Sequence, residues 1–201
     1  MSGIQTLYVA SGNPGKIREF QAACPPNLQL KAVPNFQDLT ACIEDGESFE
    51  ANAHKKALHY SRMVDGLLFA DDSGICVDAL GGAPGVRSAR YAGPRATDKE
   101  NNRKLVGALS HISPEQATAY YVCVIGLARG ANLLSSFEGR AEGLILQEPR
   151  GSGGFGYDPY FFYPPLSKTF AELSPEEKFK VSHRGQAFRA LLDYLSRLGS
   201  I

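Results

Sequence analysis

Apolar positions along this chain fall into two spacings, and the changes from one to the other outline its elements. Ile4 to Ala10 is a β-rich run ending in Ser11-Gly12-Asn13-Pro14-Gly15. Lys16 to Ala23 then has helical composition, with Pro14 suited to a first turn. Leu28 to Val33 reads as a second strand. From Glu47 to Met63, apolar or small residues stand at Phe49, Ala53, Ala57 and Tyr60, close to helical spacing, and Gly66 closes the helix. Leu67 to Ala70 is a short, wholly apolar run, the pattern of a strand at the centre of a sheet, and it leads into an Asp71-Asp72-Ser73-Gly74 loop.

Further on, Thr97-Asp98-Lys99-Glu100 fits a capping box, in which hydroxyl and carboxylate satisfy each other's orphan amides, and predicts a helix ending near Leu109. Ala117 to Ala128, Leu133 to Phe137 and Leu144 to Gln147 read as consecutive strands joined by glycine-containing turns. Ser182 is placed to cap a last helix with Phe188, Leu191, Leu192 and Leu195 on one face. Elements that alternate early and cluster as strands later predict an α/β protein with a mixed sheet. No repeat, linker or shift in composition divides residues 1–201, so a single domain is expected.

The 201 residues are 43% hydrophobic, and 21 basic side chains balance 21 acidic ones. A chain of this length buries roughly 70% of its unfolded surface and needs no disulfide staple. Zero formal charge and the lack of a basic run argue against a general nucleic-acid binder, whose affinity rests on neutralising phosphates. A small anionic ligand needs only a few local cations. Cys24, Cys42, Cys76 and Cys123 form no CxxC pair and have no histidine at zinc spacing, which predicts reduced thiols in a cytoplasmic protein. The apolar stretch after Met1-Ser2-Gly3 is too short for a signal-peptide core or a membrane span, so neither export nor a membrane is expected.

Catalytic groups of α/β proteins gather on the loops that leave sheet strands, and three such loops here are glycine-rich. Ser11-Gly12-Asn13-Pro14-Gly15-Lys16 sets free backbone amides and a lysine at a helix start, which suits a phosphate and equally suits a plain turn with a surface lysine. It is not a Walker loop, because only two residues separate its glycines and Ile17 follows the lysine. Asp71 and Asp72 point opposite ways in extended backbone, so one of them faces a given cleft; an Asx turn closing the strand is the competing reading. Glu44, Asp45, Glu47 and Glu50 add acidity nearby in sequence, and hard oxygens without a His or Cys cluster suit magnesium.

Gly151 to Pro159 contains a formal GxGxxG, but Tyr157 to Pro165 cannot continue as a helix, so it is no dinucleotide fingerprint. Phe155 and Tyr157 either offer an aromatic face to a planar base or pack as core. Lys178 and Ser182-His183-Arg184-Gly185 collect cations and donors at a helix start, where the dipole disfavours them, so an anionic or acceptor-rich partner is expected. His54, His59 and His111 have no metalloprotease spacing and read as ordinary surface or core residues. No GxSxG or supported Cys–His arrangement points to nucleophilic catalysis.

Six blocks follow one another over nearly the whole chain: Ser11-Gly12-Asn13-Pro14-Gly15-Lys16 with Glu19-Phe20; Ser48-Phe49 to Asn52-Ala53 with Lys56-Ala57; Ala70-Asp71-Asp72-Ser73-Gly74; Gly82-Ala83-Pro84-Gly85 with Ser88-Ala89-Arg90-Tyr91; Gly154-Phe155-Gly156-Tyr157-Asp158-Pro159; and Ala171-Glu172-Leu173 to Ser182-His183-Arg184-Gly185. In this order they resemble the motifs of the inosine triphosphate pyrophosphatase family. The resemblance implies a long twisted mixed β-sheet with helices, two lobes flanking a central substrate cleft, and a homodimer. It implies magnesium-dependent hydrolysis of ITP, dITP and XTP to the monophosphate and pyrophosphate, which cleanses the nucleotide pool.

The same resemblance implies Asp72 as proton acceptor and metal ligand, Glu44 as second metal carboxylate and Ser73 as a substrate contact. Ser11, Gly12, Asn13, Pro14, Gly15 and Lys16 would hold phosphate. Phe155, Gly156, Tyr157 and Asp158 would contact the nucleoside, with Lys178, His183 and Arg184 completing the pocket. Two positions depart from the family pattern: Ala51-Asn52-Ala53 stands where many relatives read Glu-Asn-Ala, and Arg87 where an aromatic is common before Ser88-Ala89-Arg90. The O6 acceptor of hypoxanthine or xanthine would meet Arg184 or a backbone amide, whereas the amino group of adenine would leave that donor unpaired, so ATP is expected to be poor. Two rival readings are a nucleotide sensor without turnover and a related enzyme for modified pyrimidine or canonical triphosphates.

Overall fold

The computed structural model of the protein describes residues 5–199. Met1-Ser2-Gly3 and the expected strand start at Ile4 lie outside the described residues. Within them the strands are β1 Gln5–Val9, β2 Leu28–Ala32, β3 Leu67–Val77, β4 Thr118–Arg129, β5 Asn132–Ile145, β6 Phe161–Tyr163 and β7 Lys168–Thr169. They form one seven-stranded sheet in the order β2-β1-β3-β4-β5-β6-β7. It is mixed: β1 runs parallel to β2 and β3, while β6 runs antiparallel to β5 and β7. The helices are α1 Pro14–Ala22, α2 Phe49–Tyr60, α3 Asp98–Ala108, α4 Pro175–Val181 and α5 His183–Arg197.

Two compact units divide the chain. The first takes the residues up to Asp72, Cys123–Gly139 and those from Arg184 on; the second takes Ser73–Val122 and Arg140–His183. In the first unit, Asn13 caps α1 through its Oδ1 and Pro14 opens the helix, while the Ser48 hydroxyl caps α2. The rings of Phe20, Phe69 and Phe188 meet with centroids 4.9–5.6 Å apart and anchor its core. In the second unit, the reciprocal capping box of Thr97 and Glu100 starts α3, as expected. Its Leu105 and Leu109 pack with Ile75, Val77, Tyr121, Phe161 and Phe170.

Three expectations are corrected. Helix α2 is shorter than the Glu47 to Met63 pattern, and Gly66, with φ +149°, leads into β3 instead of closing the helix. The expected Asp71 to Gly74 loop is strand, because β3 continues without a break to Val77, and this removes the Asx-turn reading. Gly74 permits the continuation: a Cβ there would stand 2.6 Å from the Gly85 carbonyl oxygen, and the adjacent Ile75 N–H donates to Ser88 Oγ at 2.9 Å. Finally, Leu133 to Phe137 and Leu144 to Gln147 belong largely to one strand, β5, with Gly139 and Gly143 inside it. At Gly143 a side chain would run into the Phe162 carbonyl oxygen of β6, so glycine serves close strand approach and not a turn.

Candidate functional site

Asp71 and Asp72 lie on β3, and the alternation of the strand sends their carboxylates to different partners. Asp72 Oδ2 accepts from Asn52 Nδ2 at 3.1 Å, and its Oδ1 accepts from Lys56 Nζ at 3.1 Å. Asn52 and Lys56 are four residues apart on α2 and therefore share one face of it. Lys56 Nζ also donates to Glu44 Oε2 at 2.7 Å, so a single ammonium joins two carboxylates. Asp72 is 8% exposed. Burial pushes its carboxyl up; Lys56 and Lys16 oppose that and Glu44 adds to it, and the net result stands above the ordinary value. A desolvated carboxylate with raised proton affinity is suited to accept a proton.

Asp71 behaves in the opposite way. Its Oδ2 lies 2.8 Å from Lys16 Nζ and 3.8 Å from Arg184 Nε, and receives the Cys123 thiol at 3.8 Å. Burial works against its charge, yet Lys16, Arg184 and Lys56 outweigh it and hold the carboxyl down at about 2. Arg184 Nη1 donates to Glu19 Oε2 at 2.5 Å. The anionic partners expected for Arg184 are therefore found in the chain itself. The Ser11 to Lys16 loop likewise closes on its own groups: Ser11 Oγ accepts the Asn13 N–H, and Asn13 Oδ1 accepts those of Gly15 and Lys16. Three of the amides expected to be open to a phosphate are thus engaged within the loop.

In the second unit, the chain from Phe155 to Asp158 wraps around one carboxylate. Asp158, 2% exposed, accepts the Phe155 N–H at 2.8 Å and the Lys178 ammonium at 2.6 Å through Oδ2. The space belongs to Gly154, with φ +71°, because a side chain there would strike that same oxygen. The Tyr121 hydroxyl reaches Asp158 Oδ1 at 3.4 Å, and the Tyr121 ring stacks on His183 at 4.5 Å. The two aromatics of the loop separate: Tyr157 packs in the core and donates its hydroxyl to the Ser88 carbonyl at 2.7 Å, whereas Phe155 is half-buried with Lys178 Nζ 5.0 Å from its ring centroid.

The sequence profile of the Ham1 family matches residues 7–194. The chain belongs to the Ham1 family. Among its Ham1 relatives, the dITP/XTP pyrophosphatase of Desulforamulus reducens is 44% identical over 193 residues, 96% of each chain. That of Thermus thermophilus is 46% identical over 188 residues, covering 93% of this chain and 90% of its own. The solved HAM1 protein of Coxiella burnetii superimposes with a TM-score of 0.85 at 38% identity, covering 96% of this chain and 99% of that one. The mixed-sheet α/β fold and the family read from the six sequence blocks are both borne out.

Within this Ham1 chain, the first unit brings together Lys16, Asp72, Glu44 and Arg184, and the second brings together Phe155, Gly156, Tyr157, Asp158, Lys178 and His183. Ser73 follows Asp72 on β3 and is half-buried. Asn52, Lys56 and Glu19 were not singled out as site residues from sequence. The signal for two of them is the second sequence block, which contains Asn52-Ala53 and Lys56-Ala57; their burial on the inward face of α2 is a property of the fold. The departures at Ala51 and Arg87 make none of these contacts: Ala51 is exposed, with its N–H on the Ser48 hydroxyl, and Arg87 sits in a short 3₁₀ turn, Gly85–Arg90. Among the described residues no cluster of three or more His, Cys, Asp or Glu side chains is arranged for a metal. Glu44 and Asp72 bring carboxylate oxygens to the Lys56 ammonium, hard donors of the kind that suit a divalent cation completed by water and phosphate.

Proposed function

We propose that this protein hydrolyses non-canonical purine nucleoside triphosphates, namely ITP, dITP and XTP, to the monophosphate and pyrophosphate. The carrying observation is Asp72, a buried carboxylate with raised proton affinity that is oriented by Asn52 and Lys56. The names of the Ham1 relatives support the substrate class. A magnesium ion, when bound by Glu44 and Asp72, supplies charge neutralisation on the phosphate oxygens. Asp72 accepts the proton of the attacking water, and Asn52 keeps the carboxylate from turning away. Lys56 balances the charge of two acids that would otherwise repel, and Lys16 with the Ser11 to Gly15 loop faces the phosphates. Ser73 adds a hydroxyl contact next to the base. Phe155, Gly156 and Asp158, with Lys178 and His183, contact the nucleoside, and Tyr157 supports their loop from the core. The working form is a cytoplasmic homodimer, without nucleic acid; among the described residues no helix is long and apolar enough to cross a membrane.

The test is pyrophosphate release from ITP, XTP, GTP, ATP and dUTP, each with and without magnesium. Release from ITP and XTP far above ATP, lost with chelation, is the expected result. Asp72→Asn keeps the size of the side chain and one of its two accepting oxygens while removing the base, so kcat should fall by about 10²–10⁴-fold with substrate binding retained. Turnover close to the parent in that variant would reject Asp72 as proton acceptor.

A further inference from the structure

Gly156 lies in the middle of the nucleoside loop with φ +62°, and α3 holds it on both sides. Its N–H donates to Asp98 Oδ2 at 2.7 Å, and its carbonyl accepts from Asn102 Nδ2 at 2.9 Å. Asp98 and Asn102 are four residues apart and project from one face of the helix, so they grip the peptide groups on either side of a single residue. The helix itself is fixed independently. The capping box of Thr97 and Glu100 starts it, and Asn101 ties it to the preceding chain, accepting from Ala92 N at 2.8 Å and donating to the Ala89 carbonyl at 3.2 Å. Asn102 also keeps a buried Oδ1 with no hydrogen-bond partner among the described residues.

We propose that Asp98 and Asn102 are positioning residues that set base binding by clamping Gly156. Resting on the assignment of Phe155 to Asp158 to the nucleoside, the clamp acts through backbone: with both polar groups of Gly156 held, the Phe155 ring and the peptides around it are presented in one arrangement before the purine arrives. A pre-ordered loop spends none of the binding energy on its own ordering. Loss of the clamp therefore weakens binding to ground state and transition state alike, which raises KM and leaves kcat in place.

Steady-state kinetics on XTP and ITP with magnesium test this in Asp98→Ala, Asp98→Asn and Asn102→Ala, with thermal melting of each variant. Asp98→Ala and Asn102→Ala should raise KM by about tenfold with kcat within about twofold of the parent. Asp98→Asn keeps an acceptor for the Gly156 N–H and should restore KM. Lys104→Ala, which removes an α3 contact to the Tyr91 carbonyl and not to Gly156, should leave both constants unchanged. Asp98 is exposed, so its variants keep the core intact and decide the matter even where Asn102→Ala does not fold. An unchanged KM in Asp98→Ala, or a fall in kcat that follows the melting temperature, overturns the clamp alone. A parent protein inert toward both nucleotides overturns the substrate assignment and the clamp with it.

Discussion

At the scale of single residues, Lys56 controls the chemistry of two acids. Its ammonium lies between Glu44 and Asp72, and its charge is one of the forces that keep the Asp72 proton affinity from rising further. Removing it in Lys56→Gln leaves two carboxylates facing each other with weaker compensation. Turnover on ITP should then drop by about 10²-fold, as when one donor is lost from a charge-stabilising site. The acid limb of the kcat/KM profile should also move to higher pH, since the group that favoured ionised Asp72 is gone. A pH profile of the variant with an unmoved acid limb would remove Lys56 from control of Asp72. The adjacent aspartates themselves were legible from the alternation of an extended chain. Lys56 was harder to see, because a lysine on a helix is ordinarily a solvated surface residue, and only the β3 carboxylate packed against α2 gives it a buried partner.

At the scale of elements, local signals that are closed within a few residues predicted well. Pro14 in the first turn of α1, the capping box of α3 and the strands β1 and β2 all appear where their residue patterns place them. Where sheet pairing competes with local propensity, pairing prevails. Gly139 and Gly143 carry turn propensity, but the neighbouring ladder holds them in β5, and Asp71 to Gly74 are drawn into β3 for the same reason. Gly143→Ala puts a methyl group against the Phe162 carbonyl oxygen, and its cost should be that of overpacking, about 1–3 kcal/mol. Equilibrium urea unfolding of the variant measures it. A stability equal to the parent would show that β5 and β6 are not in close approach at this point.

At the scale of the whole molecule, Asp71 links folding to pH. Its carboxyl is held near 2 when folded, below its ordinary value, so the folded state favours the ionised form. The resulting stabilisation is fully present above the ordinary carboxylate value and is lost as pH falls from there toward about 2. Asp71→Asn should flatten the stability curve over that acid window. At neutral pH it should cost about 3 kcal/mol, because Lys16 and Arg184 lose a buried counter-charge. Unfolding free energies measured from pH 2 to pH 7 in the two proteins provide the comparison, and parallel curves would remove Asp71 from the acid response.

Sequence by itself determined the α/β class and the nature of the chemical groups, because those rest on spacing, caps and residue type, which are local, while the resemblance of six ordered blocks carried the family. Tertiary structure alone decided what each group is tied to. Asp71 is committed to Lys16 and Arg184, Tyr157 to the core, Asp158 to Lys178, and Asp72 to Asn52 and Lys56. Each of these pairings except that of Tyr157 is a charge or amide removed from water. Its partner is the residue that packing brings within 2.6–3.8 Å, and that residue stands far away along the chain.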